Sequence, residues 1–167
     1  EAWYQHGCNN SNIGKIAAAV ACWRIALTCE CTDDQRAKVL SNMAWRLFDM
    51  GKTREALLTV LDALELDPTL SNAWVHLAMI NQHLCNHAGM LAASYKAMEL
   101  APDDLNAQIA MSFSLLFDGQ YAEGFKMFEC RFPWRLQYYL QWPYTMWNGE
   151  DDKVVFLSAD QGMGDTL

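Results

Sequence analysis

At 167 residues the chain is long enough for one domain with a full hydrophobic core, or for one domain and a fragment of a second. Hydrophobic residues make up 52% and charged residues 19%, which excludes a disordered chain. The net charge of −8 argues against nucleic acid or an anionic membrane surface as the main partner, because both call for clustered Lys and Arg.

The chain opens Glu1-Ala2-Trp3-Tyr4, without a basic n-region or a long apolar core, so no signal peptide is expected. The apolar stretch from Ile16 to Leu27 contains Arg24 and is too short for a membrane span. With no secretion signal, the six cysteines are expected to be reduced, mostly buried thiols, and the compartment is read as cytoplasmic. Residues 1–13 hold Gly7, Asn9, Asn10 and Asn12, all weak helix formers, which predicts a truncated or frayed first helix. Ala19, Trp23 and Ala26 nevertheless match Ala56, Val60 and Ala63 at a spacing of 37. Residues 1–36 therefore read as a partial, irregular repeat whose outgoing connection, Cys29 to Asp34, is about three residues longer than the period of the units that follow.

That period is set by Ala63-Leu64-Glu65-Leu66-Asp67-Pro68 and Ala97-Met98-Glu99-Leu100-Ala101-Pro102, whose prolines lie 34 residues apart. The same offset relates Leu40, Met43 and Ala44 to Trp74, Leu77 and Ala78, then to Gln108, Met111 and Ser112. Small residues at Ala44, Ala78 and Ser112 suit the closest approach of two helices, and Pro68 and Pro102 end each second helix. Gly51 and Gly119 supply left-handed helix stops, with Asn86 expected to substitute in the middle unit. Asp67, Asp103 and Asp104 are expected near helix starts. Thirty-four residues is the tetratricopeptide period, and the chain resembles that family over three units, 37–70, 71–104 and 105–131. The predicted fold class is all-α, a right-handed α-α superhelix of such repeats.

In such a stack the first helix of each unit lines the concave face. By register this places Lys38, Ser41, Asn42, Trp45 and Phe48 there, then Asn72, Val75, His76, Met79 and Gln82. The third unit adds Asn106, Ile109, Ala110, Phe113 and Leu116. The row Trp45, Met79, Phe113 predicts an apolar groove for a protein or peptide. Relatives that modify protein hydroxyls carry an asparagine ladder at one groove position, where only Asn42 matches and His76 and Ala110 replace the others. His83, Cys85 and His87 straddle a helix–helix turn, so no metal site and no cofactor are expected.

Residues 132–153 form an aromatic stretch (Trp134, Tyr138, Tyr139, Trp142, Tyr144 and Trp147) read as a capping linker over the apolar end of the stack. Val154-Val155-Phe156-Leu157 then reads as a short buried strand, and Asp160-Gln161-Gly162-Met163-Gly164-Asp165 as a Gly-rich loop. Residues 154–167 thus look like the start of an α/β domain. Gly124, Glu129 and Arg131, then Pro143, Trp147 and Gly149, then Gln161, Gly162, Gly164, Asp165 and Thr166 resemble, in order, the junction of bacterial tetratricopeptide–glycosyltransferase proteins. These are related to heptosyltransferases and O-linked N-acetylglucosamine transferases. The resemblance implies a phosphate or sugar loop at Gly162, Gly164, Asp165 and Thr166, and a base role for Asp165 only within a complete catalytic domain. With no second lobe, this chain is expected not to turn over substrate. The expected role is a recognition arm, with that catalytic domain as a further partner; the alternative is a free-standing scaffold or adaptor.

Overall fold

The computed structural model describes residues 1–131. The aromatic linker, the strand and the Gly-rich loop, with Asp165, lie outside the described residues. Eight α-helices follow in order: α1 (Ala2–Asn12), α2 (Ile16–Thr28), α3 (Asp33–Asp49), α4 (Thr53–Leu66), α5 (Ser71–His83), α6 (His87–Leu100), α7 (Leu105–Phe117) and α8 (Tyr121–Phe128). A short 3-10 turn, Glu129–Arg131, follows α8.

The helices pack as consecutive hairpins, α1 on α2, α3 on α4, α5 on α6 and α7 on α8, and each hairpin stacks on the next. Along the stack α3 also touches α5, and α5 touches α7. No comparable contact joins α4 to α6 or α6 to α8. The odd helices are thus drawn together while the even ones spread, which curves the stack with the odd helices inside. The architecture is the tetratricopeptide superhelix.

Each hairpin turns through the same backbone device. The amide of Lys52 donates to the Leu47 carbonyl, that of Asn86 to Asn81, and that of Gln120 to Leu115, all at 2.9 Å. This six-residue closure requires one left-handed residue, and Gly51 (φ 74°) and Gly119 (φ 83°) supply it. In the middle unit the left-handed residue is Cys85 (φ 56°), not the expected Asn86. Cys85 stands 34 residues from both glycines, so the period itself marks the position. Asn86 starts the next helix instead, its Oδ1 accepting from the Gly89 amide at 3.2 Å.

The first unit is a full hairpin. Where a frayed start is expected, α1 runs for 11 residues. Tertiary packing overrides the weak propensity: a Cβ on Gly7 would fall inside van der Waals contact of the Trp23 indole, so only glycine lets α1 settle on that ring. Trp23 is 2% exposed, and its Nε1 donates to the Tyr4 carbonyl at 3.3 Å. Gly7 lies 37 residues before Ala44, the same offset that relates α2 to α4.

Helix ends follow their local chemistry. Thr32 and Gln35 form a reciprocal capping box at the start of α3, and Asp104 caps α7 by accepting from Ala107 at 2.9 Å. Asp67 does not cap a helix start. It follows the last residue of α4, and bonds from the Thr69 hydroxyl (2.6 Å) and amide (2.9 Å) hold its carboxyl below the ordinary range. The six cysteines are unbridged; contrary to expectation none is fully buried, and Cys29 and Cys85 are exposed.

The seams between units are not equivalent. Val60 on α4 and Ile80 on α5 are fully buried. One period later their places are taken by Ser94 and Ser114, also buried, with hydroxyls 2.7 Å apart: one donates to the other, which donates to the Ala110 carbonyl. The second seam therefore exchanges apolar contact for a closed hydroxyl pair that leaves no buried side-chain polar atom unsatisfied.

Two substitutions test this reading. Gly7→Ala drives a methyl into the Trp23 ring and should cost about 1–3 kcal/mol, measured by urea unfolding. Cys85→Gly relieves the left-handed backbone and should add about 0.5–1 kcal/mol; a loss of stability would show that the turn is not strained.

Candidate functional site

The inner helices enclose a concavity of about 350 Å³ reached by α1, α3, α5 and α7, with Trp23 of α2 at its wall. α3 contributes Asn42, Trp45 and Arg46; α5 contributes Asn72, Val75, His76 and Met79; α7 contributes Asn106. Helical spacing explains the set, since 42, 45 and 46, and 72, 75, 76 and 79, each recur on one helix face. A smaller concavity, about 250 Å³, lies between the start of α1 and the α2–α3 connection and involves no residue of α5 or α7.

The centre of the groove is a packed aromatic–imidazole pair. The Trp45 and His76 rings stack at 5.3 Å and 15°. His76 Nδ1 is 3.0 Å from the Ser41 hydroxyl, which is buried. Burial between these groups pushes the His76 pKa down to about 4, and the nearby Arg46 cation adds to the effect. The imidazole is therefore neutral at pH 7. Arg46 is itself occupied, its Nη1 lying 2.6 Å from Asp49 Oδ2.

Amides surround this centre. Asn42 Nδ2 donates to the Tyr4 hydroxyl at 3.1 Å, tying α3 to α1, and burial pushes the Tyr4 phenol above its ordinary pKa. Asn72 and Asn106 are exposed, stand one period apart, and have no hydrogen-bond partner among the described residues. Their carboxamides offer a donor and an acceptor each to whatever enters.

Of the residues expected in the groove, Asn42, Trp45, Asn72, Val75, His76, Met79 and Asn106 come together here. Lys38, Ser41, Phe48, Gln82, Ile109, Ala110, Phe113 and Leu116 do not line it. Phe48 packs against Trp45 (5.6 Å) and edge-on to His83 (5.3 Å). Phe113 turns to Phe128 of α8 at 5.2 Å, and Leu116 lies against Gly124. Gln82 is half-buried outside the concavity. The row Trp45, Met79, Phe113 is thus apolar along its length, but only its first two members face the concavity.

The lining residues not expected are Cys8, Ser11 and Asn12 of α1, Trp23 of α2 and Arg46 of α3. The signal for α1 was available: Cys8 precedes Trp45 by 37 residues, the offset that relates Gly7 to Ala44. Among the described residues no group of three or more His, Cys, Asp or Glu converges as a metal site. No described helix is long and apolar enough to cross a membrane.

The class defined by this fold is the tetratricopeptide-type helical repeat, and solved structures agree. The chain is similar to the crystal structure of MamA, at 14% identity and TM-score 0.64, covering 84% of this chain and 80% of that one. It is similar to the Sgt2 tetratricopeptide domain from Aspergillus fumigatus, at 15% identity and TM-score 0.62, covering 92% and 89%. It is also similar to the first such domain of Spaghetti (RPAP3) bound to an HSP90 peptide, SRMEEVD, at 16% identity and TM-score 0.61, covering 68% and 87%. No protein-family model matches the sequence, and no curated protein matches it. At these identities the likeness establishes the fold.

The depressed His76 pKa gives a signed prediction. Because the folded state resists protonation, the stability tied to neutral His76 is full above pH 6.5 and is lost as the pH falls from 6.5 towards 4. Urea unfolding at pH 7 and pH 5 should show a larger loss for the wild type than for His76→Gln. Equal losses would place the pH dependence on other groups.

Proposed function

We propose that the chain is a protein-interaction module that holds an extended peptide segment along its inner helices, and not an enzyme in itself. One observation carries this: two exposed carboxamides, Asn72 and Asn106, repeat at the same register beside the apolar surface of Trp45 and Met79. An extended peptide presents amide groups and side chains at regular intervals, which is what a periodic row of amides flanking an apolar strip can meet. The peptide held by the RPAP3 domain supports the same use of this fold.

The order of motifs from Gly124 to Thr166 supports a finer reading, in which the stack is the recognition arm of a glycosyltransferase-like protein. Sequencing the gene past Leu167 tests it. A continuing α/β domain is expected, and a stop codon at that point would favour the scaffold or adaptor alternative.

For the groove, peptide ligands selected from a random dodecapeptide display library on the full chain should bind Asn72→Ala/Asn106→Ala about tenfold more weakly. Two net hydrogen bonds account for that factor. The thermal midpoint should not move, since neither amide bonds within the described residues. Undiminished binding to this variant and to Trp45→Ala would move the site elsewhere.

A further inference from the structure

The groove lining differs in charge from the chain that carries it. The chain has a net charge of −8. Yet among the described residues no Asp, Glu or Lys lines the concavity, and the one cation there, Arg46, is held by Asp49. What remains is neutral: the carboxamides of Asn12, Asn72 and Asn106, and the apolar surface of Trp45, Val75 and Met79.

We propose that the groove selects an uncharged peptide segment, one that carries an apolar side chain and amide or hydroxyl side chains, and rejects acidic and basic segments. This rests on the reading of the groove as a peptide site. A carboxylate entering the concavity would shed water with no free cation to meet it, and the acidic exterior would repel it on approach. A lysine or arginine would be drawn to that exterior but would find no carboxylate within the groove to replace its hydration. A neutral amide gives up less hydration and recovers it from Asn72 and Asn106, while an apolar side chain covers Trp45 and Met79. The stacked imidazole of His76 adds no charge at pH 7, in keeping with its low pKa. The discrimination is therefore made largely by what the groove withholds from a charged ligand.

The test uses three matched libraries of acetylated, amidated dodecapeptides. All contain Leu, Met, Phe, Ala, Ser and Gly; one adds Asn and Gln, the second Asp and Glu, the third Lys and Arg. Affinity selection on the full chain should draw its tightest binders from the first library. Exchanging two amides of such a binder for the isosteric Asp or Glu should weaken it at least about tenfold by fluorescence anisotropy at 0.15 M salt. Asn72→Lys/Asn106→Lys, which places two free cations in the groove without breaking any internal bond, should reverse that preference. Tighter binders from either charged library, an isosteric exchange without loss, or an unreversed preference would each overturn the proposal. No binder from any library would overturn the peptide-site reading beneath it.

Discussion

Each hairpin in this stack is held at a distance set by the small residue on its first helix, and the groove depends on that distance. At Gly7 the constraint is absolute, because the opposing surface is the Trp23 indole and even one added carbon overlaps it. Ala44, Ala78 and Ser112 occupy the equivalent place in the other three units and are all but fully buried. With each pair closed, α3, α5 and α7 approach one another while α4, α6 and α8 fan outward. The curvature is a packing consequence of where the small residues fall.

Turn chemistry fixes the register in which those faces line up. Four hairpins close through a left-handed residue at Gly14, Gly51, Cys85 and Gly119, spaced by 37, 34 and 34 residues. The first interval is longer because α3 starts a turn early, running 17 residues where α5 and α7 run 13; four residues join the units after α2, α4 and α6 alike, so the longer connection expected from Cys29 to Asp34 is taken up as helix. The closing turn of that hairpin keeps the geometry of the others, because the added residues lie at the far end of α3. Cys85 shows that the position dictates the conformation: the six-residue closure forms with a side chain present, at a cost that a glycine avoids.

The groove combines two kinds of surface that rarely coexist without a ligand. Trp45 and His76 are packed against each other and against Ser41, so the floor is rigid and uncharged. Asn72 and Asn106 stand at its edge with their hydrogen-bonding groups open. A rigid apolar floor with open amides above it loses little order when a segment settles there. The hydroxyl pair Ser94 and Ser114 lies at the α6–α7 seam, while Val60 and Ile80 are buried at the α4–α5 seam.

The fold class was legible in the sequence, since a 34-residue recurrence of small residues, prolines and glycines admits few other solutions. Helical spacing brings residues 42, 45, 72, 75, 76 and 79 of the expected groove into one concavity, and the period adds 106. Propensity misjudged α1, where glycine serves packing against Trp23. Composition misjudged Asn86, whose side chain caps the next helix while Cys85 takes the strained backbone. Tertiary structure alone decided that Phe48 and Phe113 turn to ring partners, that His76 is neutral, and that Arg46 is spent on Asp49. Those outcomes rest on distances between side chains from different turns and different helices, which a one-dimensional period does not encode.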